Sequence, residues 1–123
     1  MSDSLHVAIL DDNLLFTATV EAALRRLGHE TAVFPPSDAA LCGLAAFAPR
    51  VVFVSLAVPG PDPAVWVRRV RELAELADAI VVAYTGHKEG ERIQAGRAAG
   101  ADLVVANSAV MSDAGAVLRQ ALR

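Results

Sequence analysis

The apolar run Arg50-Val51-Val52-Phe53-Val54-Ser55-Leu56-Ala57-Val58-Pro59-Gly60, which ends in a Pro/Gly turn, sets the terms for the rest of the chain. Its β-branched and aromatic residues in succession, closed by Pro59-Gly60-Pro61, predict a strand buried on both faces. Such a strand belongs inside an open parallel α/β sheet, where ligands and chemistry gather beyond the carboxyl ends of the strands. Ser55 stands at that end, so the working residue of the chain is expected there.

Around this strand the sequence alternates. Residues 6–10 predict a short apolar strand running into Asp11-Asp12-Asn13, which ends it and caps the first helix. Residues 13–27 predict that helix, with Phe16, Val20, Ala23 or Leu24, and Leu27 on one face, stopped by Gly28. A weak strand at 30–33 leads through Pro35-Pro36 to a helix capped by Ser37 or Asp38 and ending at Phe47, with Leu41, Leu44 and Ala45 toward the core. Beyond the central strand, Asp62 is the expected cap of a third helix whose buried stripe is Trp66, Val67, Val70 and Leu73. A fourth strand at 79–85, a short helix at 89–98, a fifth strand at 103–106 and a last helix at 111–122 complete the pattern. No linker or repeat interrupts it, and 123 residues make one domain spanning 1–123. Alternation of this kind implies right-handed crossovers and helices on both faces of the sheet. The expected fold is α/β, a doubly wound five-stranded parallel sheet of the flavodoxin-like (β/α)5 type with strand order 2-1-3-4-5. Its switch point, between strands one and three, brings Asp11 and Asp12 beside Ser55.

Composition narrows the function. With 54% hydrophobic and 20% charged residues the chain is globular, and a net charge of -3 gives no electrostatic case for nucleic acid or an anionic membrane as partner. No apolar run approaches the roughly 20 residues of a membrane span, and Met1-Ser2-Asp3-Ser4 does not begin a leader, so a cytoplasmic protein is expected. Cys42 is the only cysteine, which excludes an internal disulfide and a CxxC motif; within a predicted helix it is expected to be a small buried hydrophobe. Arg68, Arg69 and Arg71 share their helix with Glu72 and Glu75 and read as a salt-bridged, solvated face. Leu14 and Leu15 fall outside the stripe set by Phe16 and Val20, which leaves an apolar spot of the kind used for partner contact.

Four stretches occur in a telling order: Leu10-Asp11-Asp12-Asn13 after strand one, Val58-Pro59-Gly60 just past the central strand, Ala83-Tyr84-Thr85-Gly86 at the end of strand four, and Gly100-Ala101-Asp102 before strand five. Together, over essentially the whole chain, they resemble the CheY-like receiver domain of bacterial response regulators. The resemblance implies Mg²⁺ held by the acidic pair and a third aspartate, which takes a phosphoryl group from a histidine kinase. It also implies a threonine or serine after strand four and a lysine after strand five to bind the phosphoryl oxygens. Matched by position, Asp11, Asp12 and Thr85 are present. Ser55 stands where the phosphoacceptor aspartate belongs, Asn107 where the lysine belongs, Ser108 in place of the proline after it, and Val104 where an aromatic residue switches with the threonine. Lys88 is the only lysine in the chain.

These departures have physical consequences. Mg²⁺ relies on carboxylates to offset its dehydration, so a serine in place of one leaves Asp11 and Asp12 as weak or vestigial ligands, or simply as a strand end and helix cap. A serine hydroxyl needs a neighbouring base, and neither His29 nor His87 is placed by sequence to supply one. Asn107 donates hydrogen bonds but brings no charge to a phosphoryl group. Asp11, Asp12, Ser55, Thr85 and Asn107 therefore read as a degenerate phosphorylation pocket without catalytic residues and without a required cofactor. The expectation is a pseudo-receiver that signals in a two-component pathway through contacts with a protein partner or a second copy of itself. Leu14 and Leu15, and the face from helix four to helix five that related domains use for dimers, are the expected surfaces. The chain ends about where a receiver ends, so no output domain is expected within it. Two other readings stay open on the residues: a receiver still phosphorylated, at Ser55, with weak Mg²⁺ binding, and a small-ligand domain on the same fold. The second lacks both the Ser/Thr-rich phosphate loop of a flavodoxin and the Asp-x-His-x-x-Gly motif of a cobalamin site.

Overall fold

A computed structural model describes residues 4–86 and 90–123. The strands are β1 (His6–Leu10), β2 (Glu30–Phe34), β3 (Val51–Ser55), β4 (Ile80–Thr85) and β5 (Leu103–Ala106). The helices are α1 (Leu14–Arg26), α2 (Asp38–Phe47), α3 (Val65–Arg71), α4 (Gly90–Ala98), α5 (Asn107–Ser112) and α6 (Ala114–Ala121), with a 3-10 turn at Ala74–Leu76. All strand pairs are parallel and the order is β2-β1-β3-β4-β5, as the alternation predicts. Every residue of β3 is buried, which accounts for a run with no polar alternation.

The pleat sorts the strands' side chains onto two faces. Val7, Ile9, Val51, Phe53, Val82 and Tyr84 pack with Phe16, Val20 and Leu24 of α1 and with Val110, Val117 and Leu118 of α5 and α6. Ala8, Leu10, Val52, Val54, Val81 and Ala83 pack on the other face with Leu41 and Leu44 of α2 and Val67 and Val70 of α3. On that same face α4 comes close through Gly96, where a Cβ would lie 3.1 Å from Leu56 Cδ1.

Local signals place most boundaries. Asn13 caps α1, its Oδ1 accepting from Phe16 N at 3.1 Å, and Ser37 caps α2, its Oγ accepting from Ala40 N at 3.1 Å. Gly28, with φ 92, makes the left-handed turn that ends α1. Leu27 is not on the buried face: it comes after the last helical residue and is 45% exposed. Asp62 does not cap α3 directly. Its Oδ1 accepts from Ala64 N at 3.0 Å, fixing the turn before the helix, while its other oxygen pairs with Arg68. The third helix also stops at Arg71, so Leu73 packs from beyond it, half-buried like Trp66. Cys42 is exposed rather than buried, because Ala40, Leu41 and Leu44 take the inward positions of α2.

The expected last helix is two helices. The first starts at Asn107, directly after β5, and the chain breaks at Asp113, whose Oδ1 accepts from Ala116 N at 2.9 Å and caps the second. A short acidic side chain competes for backbone donors in this way, and a continuous helical period hides it. The fourth helix is described from Gly90; Glu89, His87 and Lys88 lie outside the described residues.

The arginines of α3 are paired, but with acids from elsewhere and not with Glu72 or Glu75. Arg68 pairs with Asp62, Arg69 with Asp38 at 2.7 Å, and Arg71 with Asp102. Arg71 goes further: its Nε donates to the carbonyl of Gly100 at 2.7 Å and its Nη1 to that of Ala79 at 2.8 Å. Asp102 in turn accepts from Val81 N at 2.8 Å. The Gly100-Ala101-Asp102 turn is thereby clamped to α3 and to the start of β4. Among the described residues no helix is long and apolar enough to cross a membrane.

Candidate functional site

The sheet's switch point carries a cavity of about 170 Å³ lined by Asp11, Asp12, Asn13, Phe16, Ser55, Ala57, Tyr84 and Asn107. Each strand delivers its residue by register. Asp11 comes directly after β1, its backbone N–H held at 3.1 Å by the carbonyl of Phe34, and continues the face that carries Val7 and Ile9. Ser55 continues the face of Val51 and Phe53 and stands opposite Tyr84 in the β3–β4 ladder. Asn107 reaches the cavity as the first residue of α5.

Asp11, Tyr84 and Ser55 are each hydrogen-bonded within this cavity's lining. Asp11 is 7% exposed; its Oδ1 accepts from Asn13 N at 3.0 Å and its Oδ2 from the Tyr84 hydroxyl at 2.6 Å. Ser55 Oγ accepts from Ala57 N at 3.1 Å. The Tyr84 ring stacks on Phe16, with centroids 4.8 Å apart and planes at 25°. Burial, first, and then the negative charge of Asp11, its hydrogen bond and the charge of Asp12 push the Tyr84 phenol far above its ordinary pKa, so it stays a protonated donor. Asp12 itself is exposed.

Of the residues the sequence singles out, Asp11, Asp12, Ser55 and Asn107 are brought together. Thr85 is fully buried but does not line the cavity; alternation along β4 turns it toward the face opposite Tyr84. Val104 packs on that opposite face as well, 3.4 Å from where a Cβ on Gly96 would be. Leu14 and Leu15 are 77% and 79% exposed, just beyond the acidic pair at the start of α1. Sequence reasoning misses Tyr84 as a cavity residue. In the expected strand order the carboxyl ends of strands three and four are neighbours, and a tyrosine among aliphatic residues needs a partner for its hydroxyl.

The residues do not fit a dedicated Mg²⁺ centre. Both oxygens of Asp11 already accept hydrogen bonds, the third position offers a neutral hydroxyl, and among the described lining residues one carboxylate, Asp12, remains to offset the ion's dehydration. Among the described residues no group of three or more His, Cys, Asp or Glu side chains is placed to hold a metal ion.

The sequence matches no protein-family model, and no curated protein matches it significantly. Solved structures do. The chemotaxis response regulator CheY4 of Vibrio cholerae is 19% identical with a TM-score of 0.78, over 97% of this chain and 99% of that one. The receiver domain of NtrX from Brucella abortus is 23% identical with a TM-score of 0.76, over 94% and 97%. A response regulator protein from Burkholderia pseudomallei, whose structure carries a phosphorylated aspartic acid and a calcium ion, is 22% identical with a TM-score of 0.72, over 85% of this chain and 59% of that one. The fold of this chain is the CheY-like, flavodoxin-like fold of receiver domains, from one end of the sheet to the other.

Proposed function

We propose that this chain is a receiver domain of the response-regulator type that has given up phosphotransfer and acts through protein contacts in a two-component pathway. The carrying observation is the makeup of the switch-point cavity: Ser55 stands at the end of β3 with Asp11, Asp12 and Asn107 around it. A carboxylate acceptor, a third metal-binding carboxylate and a lysine are what the chemistry needs, and none is supplied by these lining residues. Ser55 is no substitute nucleophile on this reading. Among the described residues no histidine lines the cavity, and the one buried carboxylate that could serve as base is already held by Tyr84. The domain is therefore not an enzyme, and its output is one standing conformation read by a partner. The exposed pair Leu14 and Leu15, beside the cavity, is the surface this reading assigns to that partner.

Acetyl phosphate with Mg²⁺ tests it by intact mass. No adduct is expected on the unmodified chain, and a stoichiometric phosphoryl adduct overturns the reading.

A further inference from the structure

We infer that Tyr84 is the internal occupant of the acidic cavity: its hydroxyl holds the oxygen of Asp11 that a cation would need, and so keeps metal out. The inference rests on the reading of the cavity as a receiver pocket without phosphotransfer, and adds the residue that maintains that state.

The contact itself is the first support. A 2.6 Å hydrogen bond from a neutral phenol to a carboxylate is of the charge-assisted kind, among the stronger ones a protein makes. A cation approaching Asp11 has to displace it, and the displaced hydroxyl then has to find another acceptor.

Topology is the second. Tyr84 stands on β4 and Asp11 at the end of β1, with β3 between them. The phenol and the carboxylate therefore meet across one intervening strand, a gap of two strand spacings of about 4.8 Å each. They do so over Ser55, the residue that pairs with Tyr84 in the ladder and whose own oxygen is turned to Ala57 N. A larger side chain at that position would compete for the same space. The small residue at 55 and the large one at 84 thus act as one change, which removes a carboxylate and fills its place with a ring. The stack on Phe16 fixes that ring, because swinging the hydroxyl away from Asp11 breaks the contact.

A purely structural tyrosine would affect stability alone, whereas this assignment also fixes metal affinity. The test titrates Mn²⁺ into the full ¹⁵N-labelled chain and tracks paramagnetic broadening of the amides of residues 11–13 and 55–57, in the unmodified protein and in Tyr84→Phe. The variant keeps the ring and loses only the donor. It should bind at least about tenfold more tightly, the scale of one hydrogen bond to a charged group. Equal affinity in the two proteins, or saturable binding in neither, overturns the assignment. If Tyr84→Phe loses the dispersed spectrum of a folded domain, the unmodified chain decides instead: Mg²⁺ should shift the amides of residues 11–13 only as the slowly exchanging Tyr84 hydroxyl proton is lost, and saturable shifts with that resonance intact overturn the assignment. The two proposals fail separately. A phosphoryl adduct on the unmodified chain removes the proposed function and leaves the Mn²⁺ comparison standing, while equal Mn²⁺ affinities with no adduct remove only the role of Tyr84.

Discussion

Ser55 and Tyr84 are partners in the β3–β4 ladder with their side chains on the same side of the sheet, and the smaller one leaves room for the larger. Restoring an aspartate at 55 is therefore no simple repair. Ser55→Asp places a carboxylate against the Tyr84 ring and beside Asp11, with the Ala57 N–H as donor to only one of its oxygens. In metal-free buffer it should lower stability by about 1–3 kcal/mol, the usual cost of an unsatisfied buried polar group. Urea unfolding measures this, and the double change with Tyr84→Phe should bind Mg²⁺ more tightly than either single change.

Stability should fall at alkaline pH through Tyr84. Its folded pKa lies far above the unfolded phenol value of about 10, so below that pH the contribution is complete. Above it the unfolded state releases a proton that the folded state keeps, and stability drops by about 1.4 kcal/mol per pH unit. Tyr84 is the only tyrosine, so tyrosinate absorbance should appear together with unfolding and not before it. Tyr84→Phe should remove this component of the slope.

Leu14→Asp with Leu15→Asp should leave the fold in place, since both residues are exposed and Phe16, Thr17, Val20 and Leu24 supply the buried face of α1. The expected change in stability is within about 0.5 kcal/mol per site. Association with a partner, or of the chain with itself, should weaken, as read by co-purification and by sedimentation. Unchanged association would remove this surface from the proposal.

Arg71→Met should be costly although it lies far from the cavity. It takes the donors from two backbone carbonyls and leaves Asp102 with one backbone N–H. With its side chain only 22% exposed, a loss of about 2–4 kcal/mol is expected in thermal or urea unfolding. Arg71→Lys should recover little of it, because one ammonium cannot reach three acceptors in the plane a guanidinium spans.

Much of this was legible in the sequence, for identifiable reasons. Strand order came from alternation, and β5 and the caps at Asn13 and Ser37 came from local chemistry that tertiary context did not override. The meeting of Asp11, Asp12, Ser55 and Asn107 was a consequence of the fold once the strands were placed. What stayed hidden depended on contacts between distant residues. The Tyr84–Asp11 bond links positions 73 apart, and nothing near Tyr84 in sequence announces its partner. The acids that pair with Arg69 and Arg71 each lie 31 residues away, whereas the acids nearest in sequence on that stretch are Glu72 and Glu75. The break at Asp113 was masked because apolar residues on both sides keep a helical period.

The clamp around Arg71 has a consequence for how this protein can be studied. It gathers the end of α3, the start of β4 and the turn before β5, all at the amino-terminal edge of the sheet, whereas the cavity lies at the carboxyl edge. The two ends share strands but no side chain. A chemist can rebuild the acidic end residue by residue while the opposite end holds the scaffold, and a change in what the cavity binds will then report on the cavity itself.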